Sequence, residues 1–197
     1  MSNTQLNPNW RIQGNAQPNL IMNQQAYAII EPLLWPEWKK KLEAHLESFE
    51  VIPLMAGTRL SHLNEGPVLV SIGSSEEALQ ACVARMSQTP CGCLVWSSPS
   101  YSSSEVATSL RQRLFVSRNQ GETLFRFYEP RTLVPLMAAL SDEERRLMFP
   151  LLSSLHWHSK QWLSINLSHA SEATTSIQPW TLSQEQLSTM QNIAQQW

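Results

Sequence analysis

The chain alternates short apolar runs with amphipathic segments that begin at helix-capping residues, and this alternation restricts its fold more than any other feature. Three apolar runs have the length of buried strands, at residues 26–30, 68–72 and 93–96. Three serines stand three positions before a glutamate, a pairing in which each side chain bonds a free backbone amide at a helix start: Ser74, Ser102 and Ser141. The pattern predicts an α/β fold, a single domain with a mixed, largely buried sheet flanked by helices.

Further elements follow from local signals along the chain. A helix is predicted over residues 36–49, because its apolar residues recur at helical spacing after an initial proline. A hairpin is predicted with strands at 115–117 and 123–128, and residues 157–167 are predicted to form the last strand. Pro130 has the fixed backbone angle of a first helical turn and is expected to begin a helix.

Composition divides the chain into three parts. Residues 1–25 form a polar N-terminal extension, loose or ordered on contact, in which 11 positions are Asn or Gln. Residues 26–167 carry the α/β domain. Residues 168–197 comprise a Ser/Thr-rich link and a C-terminal amphipathic helix, which Ser183 caps together with Gln186. The apolar face of that helix must be buried against its own domain or against a partner.

Charge and cysteine content limit the environment and the partners. The chain carries 14 basic and 16 acidic residues, a net charge of -2, which gives no electrostatic support for binding nucleic acid or a membrane surface. No apolar run approaches the length of a membrane helix, and no signal-peptide pattern is present. Three cysteines, two of them only two positions apart, indicate a reducing compartment. We therefore expect a cytoplasmic protein without nucleic-acid or membrane partners.

No residue pattern predicts a metal site or a cofactor. His156 and His158 share the spacing of Cys91 and Cys93, but nothing in the sequence brings the two pairs together. The serine-dense stretch 97–104 follows a strand, where ligand-binding loops often lie, yet it lacks the glycines that flank the nucleophile of a hydrolase elbow. A small hydrolase or transferase that uses residues 97–104 stays as an alternative, without an evident general base.

Single carboxylates beside prolines and turns are weaker candidates. Glu31 precedes Pro32, and Glu65 precedes Gly66 and Pro67. Acids in such turns are usually solvated, and no second acid is tied to them by spacing. Neither is expected to have a catalytic partner.

Residues 125–131 combine three aromatic rings, two arginines and a glutamate at the start of a predicted helix. On a strand, Arg126 and Tyr128 would face one way and the two phenylalanines would face the core. Glu129 is placed to cap the helix that Pro130 begins, and either arginine can hold its carboxylate. The pattern favours an architectural corner over a direct binding role, and it favours both over catalysis.

The same segment resembles the signature of the effector-adaptor, or chaperone, family of bacterial type VI secretion systems, long catalogued as a domain of unknown function. That signature commonly reads Phe-Arg-Phe-Tyr-Asp-Pro-Arg, and Glu129 stands here in place of the aspartate. The likeness extends from about residue 26 to about residue 155 and includes the strands at 27–30 and 92–96. It implies a cytosolic, non-enzymatic adaptor that holds the N-terminal region of a toxic effector and helps to load it onto the spike tip protein.

The C-terminal part departs from the resemblance, because many members carry a helical lobe there that is implicated in cargo choice. Residues 180–197 are then expected to contact the partner, with packing onto the chain's own sheet as the alternative. An immunity protein, which would bind the toxic domain of the effector, is a further alternative to the adaptor. The candidates for partner binding are Arg126, Tyr128, Arg131, Trp180, Met190, Ile193 and Trp197.

Overall fold

A computed structural model describes residues 6–62, 65–118, 121–167 and 180–197. The strands within these ranges are β1 (Gln13–Gly14), β2 (Gln25–Ile30), β3 (Val51–Pro53), β4 (Val68–Gly73), β5 (Gly92–Ser97), β6 (Phe115–Arg118), β7 (Gly121–Leu124), β8 (Leu152–Ser159), β9 (Gln161–Asn166) and β10 (Trp180–Thr181). The α-helices are α1 (Trp38–Glu43), α2 (Glu76–Gln88), α3 (Ser103–Arg111), α4 (Pro130–Ala139), α5 (Asp142–Met148) and α6 (Gln184–Gln196).

Seven of these strands form one sheet in the order β1-β9-β8-β5-β2-β4-β3, and every neighbouring pair in it is antiparallel. The α/β class and the flanking helices are confirmed, but the main sheet is antiparallel and not mixed. Helix α2 joins β4 to β5. Both strands are antiparallel to β2, which lies between them, so β4 and β5 run in the same direction. Parallel pairing occurs in the small sheet β10-β6-β7, where β10 runs parallel to β6.

The main sheet is buried on both faces, as the side chains of its interior strand β2 show. Tyr27 and Ile29 belong to the larger core, which also contains residues of α3, α4 and α6. Ala28 and Ile30 belong to the second core, which they share with residues of α1 and α2. Successive side chains of a strand point to opposite faces, so one strand supplies both cores. The predicted burial of the sheet is confirmed.

The helix starts follow the capping residues of the sequence closely. Ser102, Ser141 and Ser183 each close a reciprocal capping box, at the start of α3, α5 and α6. The cap of α2 lies one residue beyond the predicted Ser74, at Ser75, whose Oγ accepts a backbone amide of the first turn at 3.1 Å. Strand β4 extends further than predicted, which moves the helix start along the chain.

The first helix is shorter than predicted. It covers Trp38–Glu43 and not residues 36–49, because the chain turns back after the helix and brings β3 alongside β4. Leu46 and Phe49 lie beyond the helix but still pack against the second core. The ring of Phe49 contacts that of Trp38, with centroids 6.0 Å apart. The apolar spacing therefore reports burial correctly and overstates the length of the helix.

Residues 157–167, predicted as one strand, form the end of β8 and the whole of β9. The two strands make a hairpin in which Ser159 pairs with Gln161 across Lys160. Lys160 has a φ of 64°, the left-handed conformation that glycine or asparagine usually supplies in a hairpin turn. No glycine or asparagine marks this turn in the sequence, so the prediction of a single strand is wrong.

Residues 6–25 lie on the domain and are not a loose extension. Trp10 is buried in the larger core, and Nη2 of the buried Arg145 donates to its carbonyl oxygen at 2.6 Å. Strand β1 extends the main sheet by pairing with β9. The polar composition of this segment hides its packing, because two apolar side chains, Trp10 and Ile12, account for most of the burial.

Helix α6 packs against the domain and contacts α4. Ile193 on its apolar face is buried, and Leu187, Met190 and Trp197 pack against the larger core while partly exposed. The predicted Ser/Thr-rich link falls on residues 168–179, which lie outside the described residues. Of the two expectations for this helix, the structure favours packing onto its own domain.

Candidate functional site

Residues 125–129 connect β7 to α4 through two tight turns and do not continue the strand. The Phe127 amide donates to the Phe125 carbonyl at 2.9 Å, and the Glu129 amide donates to the Arg126 carbonyl at 3.0 Å. Phe127 and Tyr128 are consequently both buried, while Arg126 is exposed. The predicted strand alternation is wrong here, because a turn between residues 125 and 127 breaks the two-residue period.

The two buried rings fix this segment to the larger core. Phe127 packs edge-on against Phe149, with centroids 5.5 Å apart, and edge-on against Tyr128, with centroids 5.7 Å apart. Edge-to-face contacts at these distances add to the free energy gained from burial alone. The position of Arg126, directly before these two anchored residues, is therefore set by the core.

Glu31 receives the side chains of this segment at the end of β2. Its carboxylate accepts from Nη2 of Arg126 at 2.8 Å and from the hydroxyl of Tyr128 at 3.0 Å. Glu31 is only 6% exposed, so the expectation of a solvated acid is wrong. Burial raises the pKa of the Tyr128 phenol, and the negative charge of Glu31 raises it further, which keeps the hydroxyl protonated as a donor.

Glu129 occupies the N-cap position of α4, but its side chain does not cap the helix. Its carboxylate instead accepts from Nε of Arg131 at 2.6 Å. Pro130 stands in the first helical turn, as predicted. The two arginines of the segment therefore hold different carboxylates, Arg126 that of Glu31 and Arg131 that of Glu129. We call these five residues, Glu31, Arg126, Tyr128, Glu129 and Arg131, the arginine corner.

An exposed apolar turn begins directly after Glu31. Residues Pro32–Leu34 form a turn of 3-10 helix in which Leu33 is 62% exposed and Leu34 37% exposed. A cavity of about 170 Å³ lies on the other side of the corner, lined in part by Arg131, Pro90 and Lys160. The corner, the turn and the cavity share one end of the sheet, because Ile30 of β2 pairs with Gly92 of β5 there.

The four C-terminal candidates lie on the domain and not on a free tail. Trp180 packs beside the larger core, 5.9 Å from the guanidinium of Arg113, and Ile193 is buried. Trp197 contacts Trp10 edge-on, with centroids 6.0 Å apart. Its Nε1 donates to Oγ of Ser159, the last residue of β8, at 2.9 Å. The structure thus brings Arg126, Tyr128 and Arg131 together and places the other four in intramolecular contacts.

The serine-dense stretch 97–104 lies at the opposite end of the sheet, where its hydroxyls serve local structure. Ser98 and Ser100 share a hydrogen bond of 2.7 Å, and Ser102 caps α3. Ser103 donates to the carboxylate of Glu50 at 2.6 Å. A polar groove of about 490 Å³ opens beside Glu50; we call it the carboxylate groove, and its lining includes Glu47, Glu50, Glu77 and His45.

The two cysteines are buried in the core, and the two histidines are partly buried. His156 contacts the ring of Trp96 at 4.6 Å, and burial lowers its pKa. Burial raises the pKa of the Cys91 thiol to about 11 and raises that of Cys93 as well. Within the described ranges, no group of three or more His, Cys, Asp or Glu side chains could hold a metal ion. None of the helices described there is long and apolar enough to cross a membrane.

Glu31 is the corner residue that sequence reasoning missed. Its partner Arg126 lies 95 positions further along the chain, so no local spacing links the two. The available signal was its position at the end of a strand that is buried on both faces. A buried carboxylate without a hydrogen-bond partner lowers the stability of the fold, so a partner is expected there. That signal identifies a buried acid without identifying which arginine binds it.

Comparison with known proteins gives one match. A family model described as "Domain of unknown function (DUF4123)" matches residues 26–147. No curated protein and no solved structure matches the chain. The matched residues include the whole arginine corner, while β1, β8, β9 and α6 lie outside them.

Proposed function

Since the chain belongs to the family described as a domain of unknown function (DUF4123), we propose that it is a non-catalytic adaptor of bacterial type VI secretion. In this role it binds an effector protein in the cytoplasm, through the N-terminal region of the effector, and helps to load it onto the spike tip protein. The resemblance of residues 125–131 to the adaptor signature is the basis of this assignment.

One observation supports binding in particular: the arginine corner presents charged groups from a rigid base. Phe127 and Tyr128 are buried, whereas the side chains of Arg126 and Arg131 are 45% and 76% exposed. Arginine is enriched in the hot spots of protein interfaces, since its planar guanidinium makes several directed hydrogen bonds. A segment that anchors two aromatic rings in the core and leaves two guanidinium groups accessible suits recognition of another protein.

The chemistry of the corner also fits binding better than proton transfer. Each carboxylate accepts hydrogen bonds from an arginine, and the raised pKa of Tyr128 keeps its phenol protonated near neutral pH. A general base requires a pKa near the working pH and reach to a substrate proton. The proposal therefore assigns the corner a positioning and contact role with no bond made or broken.

The first experiment is a tagged purification of the full chain from its native cytosol, with the co-purifying proteins identified by mass. We expect a large toxin-like protein together with a component of the secretion spike. Purification without either protein contradicts the proposal.

Truncation of the captured effector then separates the adaptor from an immunity protein. An adaptor retains binding to a fragment that holds the N-terminal region of the effector and loses binding when that region is removed. Retention by the isolated toxic domain alone assigns the chain to immunity. A catalytically inactivated effector serves as the control, because toxicity of the active effector could reduce the amount of complex that the cells produce.

A further inference from the structure

We infer that the arginine corner and the leucine turn beside it form one docking surface for an acidic, apolar segment of the partner, an inference that rests on the proposed function. The leucine turn comprises Pro32, Leu33 and Leu34. We call the combined area the corner surface. It also includes the cavity beside Arg131.

The leucine turn is held rigidly although its side chains are exposed. The Glu31 amide donates to the Cys91 carbonyl at 2.8 Å before the turn, and the buried Trp35 closes it by donating to the Pro32 carbonyl at 3.1 Å. Nη2 of Arg85 donates to the Leu34 carbonyl at 2.6 Å. An apolar pair fixed in this way loses little conformational entropy on binding, which favours its use as a contact.

The guanidinium groups of the corner are oriented and still have donors to offer. Arg126 uses Nε and Nη2 for Tyr128 and Glu31, and Arg131 uses Nε and Nη2 for Glu129. Within the described residues, Nη1 of both arginines has no recorded partner. A guanidinium binds carboxylates with directed, charge-assisted bonds, so each Nη1 can donate to a carboxylate of a partner.

The cavity supplies a place for one apolar side chain. It measures about 170 Å³, and its lining combines the apolar Met86, Pro90 and Pro130 with the cationic Arg131 and Lys160 and with five polar residues of the segments 87–89 and 158–159. Pro90 is adjacent to the residue whose carbonyl binds the Glu31 amide, so the cavity continues the corner surface. The apolar and cationic groups of this mixed lining match an apolar residue that has a carboxylate close to it in sequence.

Charge distribution selects this end of the sheet over the other. The carboxylate groove carries Glu47, Glu50 and Glu77 and would repel an acidic segment. The cations of the corner surface attract the same segment, while its two carboxylates are already bound to arginines. A segment with alternating apolar and acidic side chains therefore fits one end of the molecule and not the other.

The location of the surface is tested by photo-crosslinking in the full chain. p-Benzoylphenylalanine replaces Leu33 in one variant and Met22, an 88% exposed residue at the groove end of β2, in the matched control. We expect the position 33 probe to crosslink the partner captured by the wild-type chain, at a segment rich in apolar residues and carboxylates. Crosslinking at position 22 alone, or crosslinking of position 33 to a basic segment, overturns the inference.

The chemistry is tested by anisotropy with two labelled peptides that share their leucine positions and carry either a glutamate or a lysine next to each leucine. We expect the glutamate peptide to bind at least about tenfold more tightly than the lysine peptide. Leu33→Ser and Arg131→Gln should each weaken its binding about tenfold, whereas Met22→Ser and Arg59→Gln should not. Arg59 is a suitable control because it is an exposed arginine paired with Glu122.

The outcomes distinguish this inference from the proposed function. Equal binding of both peptides, or binding that Leu33→Ser and Arg131→Gln leave unchanged, overturns the corner surface. If the wild-type chain captures effector and spike while position 33 gives no crosslink, the adaptor function stands and the docking surface is wrong. If the wild-type chain captures no partner, the adaptor function fails and the peptide comparison alone decides the surface.

Discussion

The two ends of the interior strand β2 differ in chemistry although one strand joins them. At the Ile30 end, the arginine corner and the leucine turn combine exposed guanidinium groups with exposed apolar side chains. At the Gln25 end, the carboxylate groove combines acids with serine hydroxyls, and the apolar residues exposed before β2 are Ile21 and Met22. A chain with a net charge of only -2 thus places three glutamates around the groove and two arginine–glutamate pairs at the corner.

The difference shows why overall charge says little about how such a protein recognises a partner. Net charge governs long-range attraction, whereas recognition depends on the few side chains that meet the partner. The corner end has its charges braced by a buried acid and a buried phenol, and the groove end has exposed carboxylates with local hydroxyl partners. The corner is consequently expected to be the more sensitive end to substitution.

The largest effect is expected from Phe127→Ala, which removes a fully buried ring from beneath the corner. The substitution should lower the free energy of unfolding by about 3–5 kcal/mol, because it leaves a cavity against Phe149 and Tyr128. Urea denaturation measures the change. Phe115→Ala, at a partly buried ring, serves as the control and should cost less. Equal losses for the two variants would show that the corner has no special anchorage.

A smaller effect is expected from Glu31→Ala, which removes the acid that Arg126 and Tyr128 share. We expect a loss of about 1–3 kcal/mol in the free energy of unfolding, because a buried hydroxyl loses its acceptor. Glu50→Ala makes the matching change at the groove end and should cost less than about 1 kcal/mol, since Glu50 is exposed. Chemical denaturation measures both losses. If Glu50→Ala lowers the free energy of unfolding more than Glu31→Ala does, the corner is not the more sensitive end.

Acidification should lower the free energy of unfolding through His156, which lies on β8 between the two ends of the sheet. Burial lowers the pKa of His156 in the folded state, so below its ordinary value of 6.5 the unfolded chain binds the proton more readily. The contribution is fully present above pH 6.5 and is lost as the pH falls towards the folded-state pKa, with a slope of at most about 1.4 kcal/mol per pH unit. Thermal unfolding between pH 7 and pH 5, compared with His156→Gln, measures it; an unchanged pH dependence in the variant rejects this origin.

The smallest effect on stability is expected from Arg131→Gln. Its side chain is 76% exposed, and an exposed ion pair contributes about 0–1 kcal/mol to the free energy of unfolding. The same substitution should weaken partner binding about tenfold, which would separate contact from architecture at the corner. Thermal unfolding and partner capture are to be measured on the same preparation. A large loss of stability would return Arg131 to the structural role that the sequence favoured.

Much of the fold could be predicted from sequence because its signals are local. The capping boxes at Ser102, Ser141 and Ser183 depend on residues three positions apart, and the helix start at Pro130 depends on one residue. Apolar runs likewise mark strands that are buried on both faces. The hairpin turn at Lys160 was not predicted because Lys160 has a positive φ, a conformation that glycine or asparagine indicates in a sequence and lysine does not.

Less of the candidate site could be predicted, since its contacts join distant parts of the chain. The sequence identified Arg126, Tyr128 and Arg131 and left open which arginine holds Glu129, but it did not connect Arg126 with Glu31. Glu31 enters the corner only when β2 lies beside β5 and the segment after β7 folds over its end. Neither residue spacing nor composition contains that information, because it follows from the order of strands in the sheet.

The position of β2 between β4 and β5 also governs how the chain must fold. Ile29 pairs with Leu69 on one side and with Cys93 on the other, and Gln13 pairs with Ser164 at the sheet edge. Such distant pairings give a high contact order, which is associated with folding in milliseconds to seconds. During synthesis, β2 leaves the ribosome before either neighbouring strand, so both of its hydrogen-bonding edges are open until β4 and β5 emerge. The nascent chain is therefore exposed to mispairing over that interval, well before the corner exists to bind anything.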